Sequence, residues 1–162
     1  MSDATDPAEK IMSLEAARTW RAGLGPRSVV FTNGVFDLLH TGHVDVLLAA
    51  RREGDVLIVG VNSDGSVRRL KGPTRPVRND VDRAYLVAAL SCVDSVVVFE
   101  QDTPLELLRA LEPDVLVKGG DYAESTVIGA RDVRERGGRV VIVPLTPGHS
   151  TTALVEKLRG RD

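Results

Sequence analysis

Two of the three histidines in this 162-residue chain, His40 and His43, stand three residues apart in FTNGVFDLLHTGHV, with Gly42 between them. Side chains at i and i+3 share one face of a helical turn. A turn that opens a helix also offers unpaired N–H groups to an anion. The chemistry this suits is charge stabilisation: two imidazoles at a helix entrance can hold a phosphate that gains charge in a transition state. A metal pair or two capping histidines would use the same spacing, so the pair alone does not decide. Gly34, just upstream, lets the backbone come close to a phosphate.

Three further stretches carry chemistry. The third histidine, His149, precedes Ser150-Thr151-Thr152, where three hydroxyls and an expected helix start make a second anion site. Helix capping explains Ser150 but not all three. Between Asn62 and Arg83, Arg68, Arg69, Lys71, Arg75, Arg78 and Arg83 put six cations into sixteen residues, against about two expected from 21 Lys and Arg in the whole chain. Gly72, Pro73 and Pro76 predict a loop there. A solvated basic face accounts for Arg68 and Arg69 as well as binding does, but less well for Lys71, Arg75 and Arg83. A phosphomonoester carries about −1.5 to −2 charges at neutral pH, so a triphosphate plus a sugar phosphate needs several cations. Finally, Lys118-Gly119-Gly120-Asp121 offers a phosphate cation, two glycines for close approach, and an acceptor for a sugar hydroxyl or base amine. The chain has no Walker A motif and no GxGxxG after its first strand.

The elements that must position these residues alternate. Apolar, β-branched runs at Val29–Phe31, Val56–Val61, Ser95–Phe99, Asp114–Val117 and Val140–Val143 predict strands buried on both faces of a parallel sheet. Helices are predicted from Ser13 to Ala22, from Val44 towards a cap at Gly54, and from Asp82 to Leu90. Others run from a capping box at Thr103-Pro104-Leu105-Glu106, from Thr126 to Arg136, and from Ser150 to about Arg159. The fold class is α/β: a doubly wound, five-stranded, Rossmann-like parallel sheet with ligands expected at the C-terminal strand ends. Residues 1–12 are expected to be loosely ordered and 13–162 to form one domain. A net charge of −2 gives no global field for nucleic acid. No apolar run reaches the roughly 20 residues of a membrane span, and no signal peptide is visible. The single cysteine, Cys92, cannot form an internal disulfide and reads as core. The expected compartment is the cytoplasm, without membrane partners.

These residues carry a resemblance. His40-Thr41-Gly42-His43 matches the HxGH motif of the cytidylyltransferase-like nucleotidyltransferases, and the Ser-Thr-Thr segment matches their second motif. Within that superfamily FTNGVFDLLHTGHV, VNSDGSVRRLKGPTRPV, DTPLELL, LVKGGDY and STT most resemble the bacterial D-glycero-β-D-manno-heptose 1-phosphate adenylyltransferases. Many such domains are fused to a sugar kinase, for which 162 residues leave no room, so a stand-alone form is expected. Relatives that use CTP commonly have an arginine just before Ser-Thr-Thr; here Pro144 to His149 has none, which fits the heptose branch.

The resemblance implies that ATP and heptose 1-phosphate give ADP-heptose and pyrophosphate. It assigns His40 and His43, with Lys71 and Lys118, to the reacting phosphates. Phe31, Thr32, Asn33, Gly34, Val35 and Phe36 should line the nucleotide site with Gly42, Gly119, Asp121, Ser150, Thr151 and Thr152. The sugar phosphate falls to Asp37, Asn62, Asp64, Arg75 and Arg83, with Asp37 orienting a histidine or the nucleophile. Mg²⁺ is expected to arrive on ATP, with no protein-ligated metal. A homodimer is expected, with Trp20, the first helix and the helix from Asp82 as contacts. The alternatives are a cytidylyltransferase acting on a polyol or alcohol phosphate, and a non-catalytic nucleotide-binding sensor.

Overall fold

A strand that is apolar on both faces must be covered on both, and β1 (Val29–Gly34) shows the consequence. Val30 joins one buried cluster, while Val29 and Phe31 join a second on the opposite face. The computed structural model describes residues 5–145, 147, 154–157 and 160. In it β1 lies at the centre of a five-stranded parallel sheet with β2 (Val56–Asn62), β3 (Ser95–Phe99), β4 (Val115–Gly119) and β5 (Arg139–Val143), in the order β3-β2-β1-β4-β5. Every predicted strand is present. On one face Leu47 and Ala50 of α2 (Thr41–Arg51) pack with Ala84, Val87 and Ala88 of α4 (Asp80–Ala88). The other face takes Ala17 of α1 (Leu14–Ala22), Leu107, Leu108 and Leu111 of α5 (Leu105–Leu111), and Val133 of α6 (Ala130–Glu135). Cys92 is a core residue, as expected, and Trp20 packs partly buried against the second cluster.

The sheet order creates the crevice. β1 pairs with β2 from Val29 to Gly34, but with β4 only at Val30–Val115 and Phe31–Leu116. Beyond those pairs the C-terminal ends of β1 and β4 part, at the point where the direction of winding reverses. Ligands of open α/β sheets occupy this position.

Several local expectations are corrected. The predicted loop from Asn62 contains a helix, α3 (Asp64–Lys71). Ser63 caps it by accepting the N–H of Ser66, and Val67 is buried beneath it. The six cations are therefore divided between a helix, a true loop at 72–79 and α4. At α5 no capping box forms: Pro104 is the N-cap and Glu106 instead accepts from Gln101 Nε2 at 2.7 Å. The helix expected over Thr126–Arg136 is shortened to α6, because Gly129 at φ 86° turns the chain just before it. Gly54 is not a cap, since α2 ends at Arg51 with Arg52 as its C-cap. A Cβ on Gly54 would stand 2.7 Å from Val30 Cγ2, so close packing requires the glycine. Residues 6–12 have a place in the fold: Lys10 Nζ donates to the Val93 carbonyl at 2.9 Å and the Met12 N–H to the Val96 carbonyl at 2.9 Å. Only Leu154–Lys157 of the last predicted helix is described, and it is helical; His149, Ser150, Thr151 and Thr152 lie outside the described residues. Among the described residues no helix is long and apolar enough to cross a membrane.

Arg83, expected at the sugar phosphate, is the largest fully buried side chain. Its Nε donates to the Arg78 carbonyl (2.9 Å), Nη1 to the carbonyls of Val35 (2.6 Å) and Asn62 (2.8 Å), and Nη2 to Asp64 Oδ1 (2.7 Å). Four of its five N–H groups are thus spent on protein. Arg83 is a structural tie between β1, β2, α3 and α4, and Asp64 is its counter-ion; neither lines the cavity described below. Removing one partner of a buried ion pair costs about 3–5 kcal/mol. Arg83→Ala should therefore lower the unfolding free energy by about that amount in a urea titration, a loss too large for a surface cation.

Candidate functional site

At the parted ends of β1 and β4 lies a cavity of about 460 Å³, within the range of small-molecule sites. Its floor is the β1 exit, Asn33 to Asp37, and its walls come from α2, α3, the 72–79 loop and β4 with the segment after it. Its lining includes a cationic and polar set, His43, Lys71, Arg75, Lys118, Asn33 and Asn62, and a largely apolar set, Pro104, Leu116, Tyr122, Val127 and Ile128.

The turn after β1 aims the histidines. Phe36 takes a left-handed backbone (φ 51°), rare for a bulky residue. Its ring covers Gly34, where an added Cβ would stand 3.0 Å from Phe36 Cε2, and lies 5.3 Å from the His43 ring. The glycine is thus required by the aromatic ring above it. His40 stacks on His43 with centroids 3.8 Å apart. The His40 backbone N–H donates to His43 Nδ1 at 3.3 Å, so in the neutral imidazole the proton sits on Nε2. Burial, and then the nearby charges of His40 and Lys71, push the His43 pKa down to about 4. His43 is therefore a neutral donor at pH 7. Burial also lowers the pKa of Lys118, whose Nζ lies 3.5 Å from Asn33 Oδ1 and 6.0 Å from the Tyr122 ring.

Of the sequence-predicted residues, the cavity wall brings together Asn33, Gly34, Val35, Phe36, Asp37, His43, Asn62, Lys71, Arg75 and Lys118. His40 lies off the wall and stacks on His43. Phe31 and Thr32 are enclosed in the sheet, so their side chains do not line it. Gly42 is buried in the first turn of α2. Gly119 meets a packing demand, since a Cβ there would stand 2.8 Å from Val46 Cγ2. Asp121 is exposed outside the wall. Asn62 is 4 % exposed and its amide is held by Ser66 Oγ at 3.0 Å.

Asp37, expected at the sugar phosphate or behind a histidine, spends its oxygens on the 72–79 loop. It is 1 % exposed, and its oxygens accept from Arg75 Nε (2.6 Å), the Val77 N–H (2.8 Å) and the Arg78 N–H (3.0 Å). Burial raises its pKa, but these donors outweigh burial and hold it below the ordinary value, so it stays a carboxylate. Asp102, Pro104, Leu116, Tyr122 and Thr126 to Ile128 also line the cavity and were not read from sequence, because they come from segments distant in the chain that meet only on folding.

The comparisons with known proteins agree with this geometry. The family model described as cytidylyltransferase-like matches residues 31–157. The chain belongs to that family. It is 57 % identical over 135 residues to the bifunctional protein HldE of Syntrophotalea carbinolica, covering 83 % of this chain and 28 % of that one. The chain thus spans little more than a quarter of the length of such curated relatives. Among solved structures it is similar to a lipopolysaccharide core biosynthesis protein from Thermoplasma volcanium, with 27 % identity and a TM-score of 0.60 over 74 % of this chain and 97 % of that one. A pantoate-beta-alanine ligase from Francisella tularensis shares the fold at 14 % identity, with a TM-score of 0.60 over 92 % of this chain and 76 % of that one.

The His43 environment makes a direct prediction. Its imidazole should titrate near 4 in the free protein by NMR rather than near 6.5. The unfolded chain takes up that proton below about 6.5 while the folded one does not, so this group's contribution to stability falls as pH drops from 6.5 towards 4. Inorganic triphosphate in the cavity opposes the neighbouring positive charges and should move the titration upward.

Proposed function

We propose that the chain transfers the adenylyl group of ATP to heptose 1-phosphate, giving ADP-heptose and pyrophosphate. The observation that carries this reading is the convergence of the HxGH turn with Lys71, Arg75 and Lys118 on one cavity at the sheet's switch point. Similarity to one part of a bifunctional HldE protein supports the substrate pair, as does the likeness to a protein of lipopolysaccharide core biosynthesis.

The sugar phosphate is largely dianionic at pH 7 because its second pKa is near 6, so it attacks without a general base. Its oxygen forms a bond to the α-phosphorus of ATP while the bond to the bridging oxygen breaks, and that oxygen leaves with the electron pair as pyrophosphate. His43 Nε2–H, fixed as donor by the bond at Nδ1, stabilises charge building on the phosphates without giving up its proton. The α2 N-terminus, with His40 stacked behind, adds to that field. Lys71 and Lys118 bridge the reacting groups from opposite walls, and the Nη groups of Arg75 take the sugar phosphate. Catalysis here is positioning and electrostatics.

We place magnesium on the triphosphate. The Asp37 carboxylate on the cavity wall is already engaged by three donors. When bound, Mg²⁺ supplies charge neutralisation on phosphate oxygens.

We keep the cytoplasmic location and the homodimer within this proposal. The outer face of α4, where Val81 is 70 % and Tyr85 45 % exposed, is the candidate contact; light scattering should then give twice the chain mass.

Pyrophosphate release should be seen with ATP and heptose 1-phosphate, and kcat/KM for ATP should exceed that for CTP by at least about 10²-fold, since a site bonded to one base edge leaves polar groups unpaired against the other. A CTP preference would move the chain to a polyol-phosphate cytidylyltransferase. Binding without turnover would make it a nucleotide sensor. Loss of the His43 donor should cost about 10²–10³-fold in kcat, so a folded His43→Ala protein with near wild-type turnover would remove His43 from the chemistry.

A further inference from the structure

The buried carboxylate of Asp37 divides its two oxygens between two tasks. Oδ1 accepts the backbone N–H groups of Val77 (2.8 Å) and Arg78 (3.0 Å), while Oδ2 accepts Arg75 Nε (2.6 Å). The first task fixes the backbone of the 72–79 loop, and the second fixes a guanidinium on the cavity wall. Arg75 has one N–H on Nε and four on its Nη groups. Holding Nε from behind leaves the Nη edge for a ligand, and among the described residues no protein acceptor takes it. The Arg75 side chain is 12 % exposed, so its approach is constrained. A planar guanidinium held along one edge is preorganised for two-point contact with a phosphate.

We propose that Asp37 is a positioning residue, which pins the 72–79 loop and presents the Nη edge of Arg75 to the phosphate of the sugar substrate. It touches neither substrate; it acts through Arg75. The carboxylate sits three residues beyond the end of β1 and three residues before His40, the N-cap of α2. The segment after β1 thus carries both the histidines and the carboxylate that holds Arg75. Arg83 reinforces the arrangement from beneath by accepting no role at the wall and bonding the Val35 and Arg78 carbonyls on either side of the Asp37–loop junction.

The proposal rests on the adenylyl-transfer reading for its kinetic arm and stands apart from it in its exchange arm. Asp37→Asn keeps a carbonyl for the two amides but turns an NH₂ towards Arg75 Nε–H. It should raise KM for the sugar phosphate about tenfold or more, the scale of one charged hydrogen bond, with KM for ATP changed less. In an Arg75→Ala background the same substitution should add less than about twofold, because the group it acts through is gone. A wild-type sugar-phosphate KM in Asp37→Asn, or full multiplication of the two effects, overturns the proposal. Independently of turnover, Asp37→Ala should speed hydrogen exchange of the Val77 and Arg78 amides by at least about tenfold while exchange in the central strands is unchanged. Unchanged exchange there overturns the latch even if the enzyme is active. If the wild-type protein shows no adenylyl transfer, the proposed reaction falls and the exchange result alone decides the latch.

Discussion

A guanidinium with no solvent contact has to find acceptors inside the protein, and where Arg83 finds them sets the geometry of everything around the cavity. Its partners are the Val35 carbonyl at the β1 exit, the Asn62 carbonyl at the end of β2, the Arg78 carbonyl in the loop and Asp64 at the start of α3. Burying a charge is costly unless it is paired and fully bonded. The four segments are therefore held at fixed separations by one group that cannot be left unsatisfied. Above this tie lies a second buried charge, Asp37, whose three donors belong to the loop that closes the cavity.

These two residues explain how the basic segment is organised. The six cations close in sequence do different work. Arg83 is structural, Arg69 bonds Asp102 at 2.8 Å across the rim, Arg75 is held by Asp37, and Lys71 reaches the cavity from the end of α3. Only part of the positive charge is offered to a ligand, and that part is mounted on fixed elements. Rigid mounting matters because electrostatic catalysis depends on dipoles and charges already in place when the reaction occurs.

Burial first, and the charges of His40 and Lys71 second, hold the His43 pKa down to about 4, so its ring stays neutral well below pH 7. The imidazole then acts as an oriented dipole, its hydrogen aimed by the bond at Nδ1. The cavity wall thus carries several cations and a fixed donor beside apolar residues that include Leu116 and Val127.

The sequence by itself determined the sheet. Continuous β-branched runs can be buried on two faces only in a covered parallel sheet, and His43, Lys71, Arg75 and Lys118, singled out by type and spacing, are brought to one cavity by the fold. What the tertiary structure decided were identities that depend on partners distant in the chain. Arg83 looks like any other cation in a basic stretch, and its burial follows only from carbonyls 5, 21 and 48 residues away. Gly34 and Gly119 look like phosphate-approach glycines, yet the Phe36 ring and Val46 make them necessary. Helix α3 was hidden because Gly and Pro lie just beyond it, while the contacts that stabilise it, Ser66 with Asn62 and with the Gln101 carbonyl, are made after folding. Local pattern encodes which elements form. The choice between a charge that serves a ligand and one that serves the fold is made by burial, which no residue determines alone.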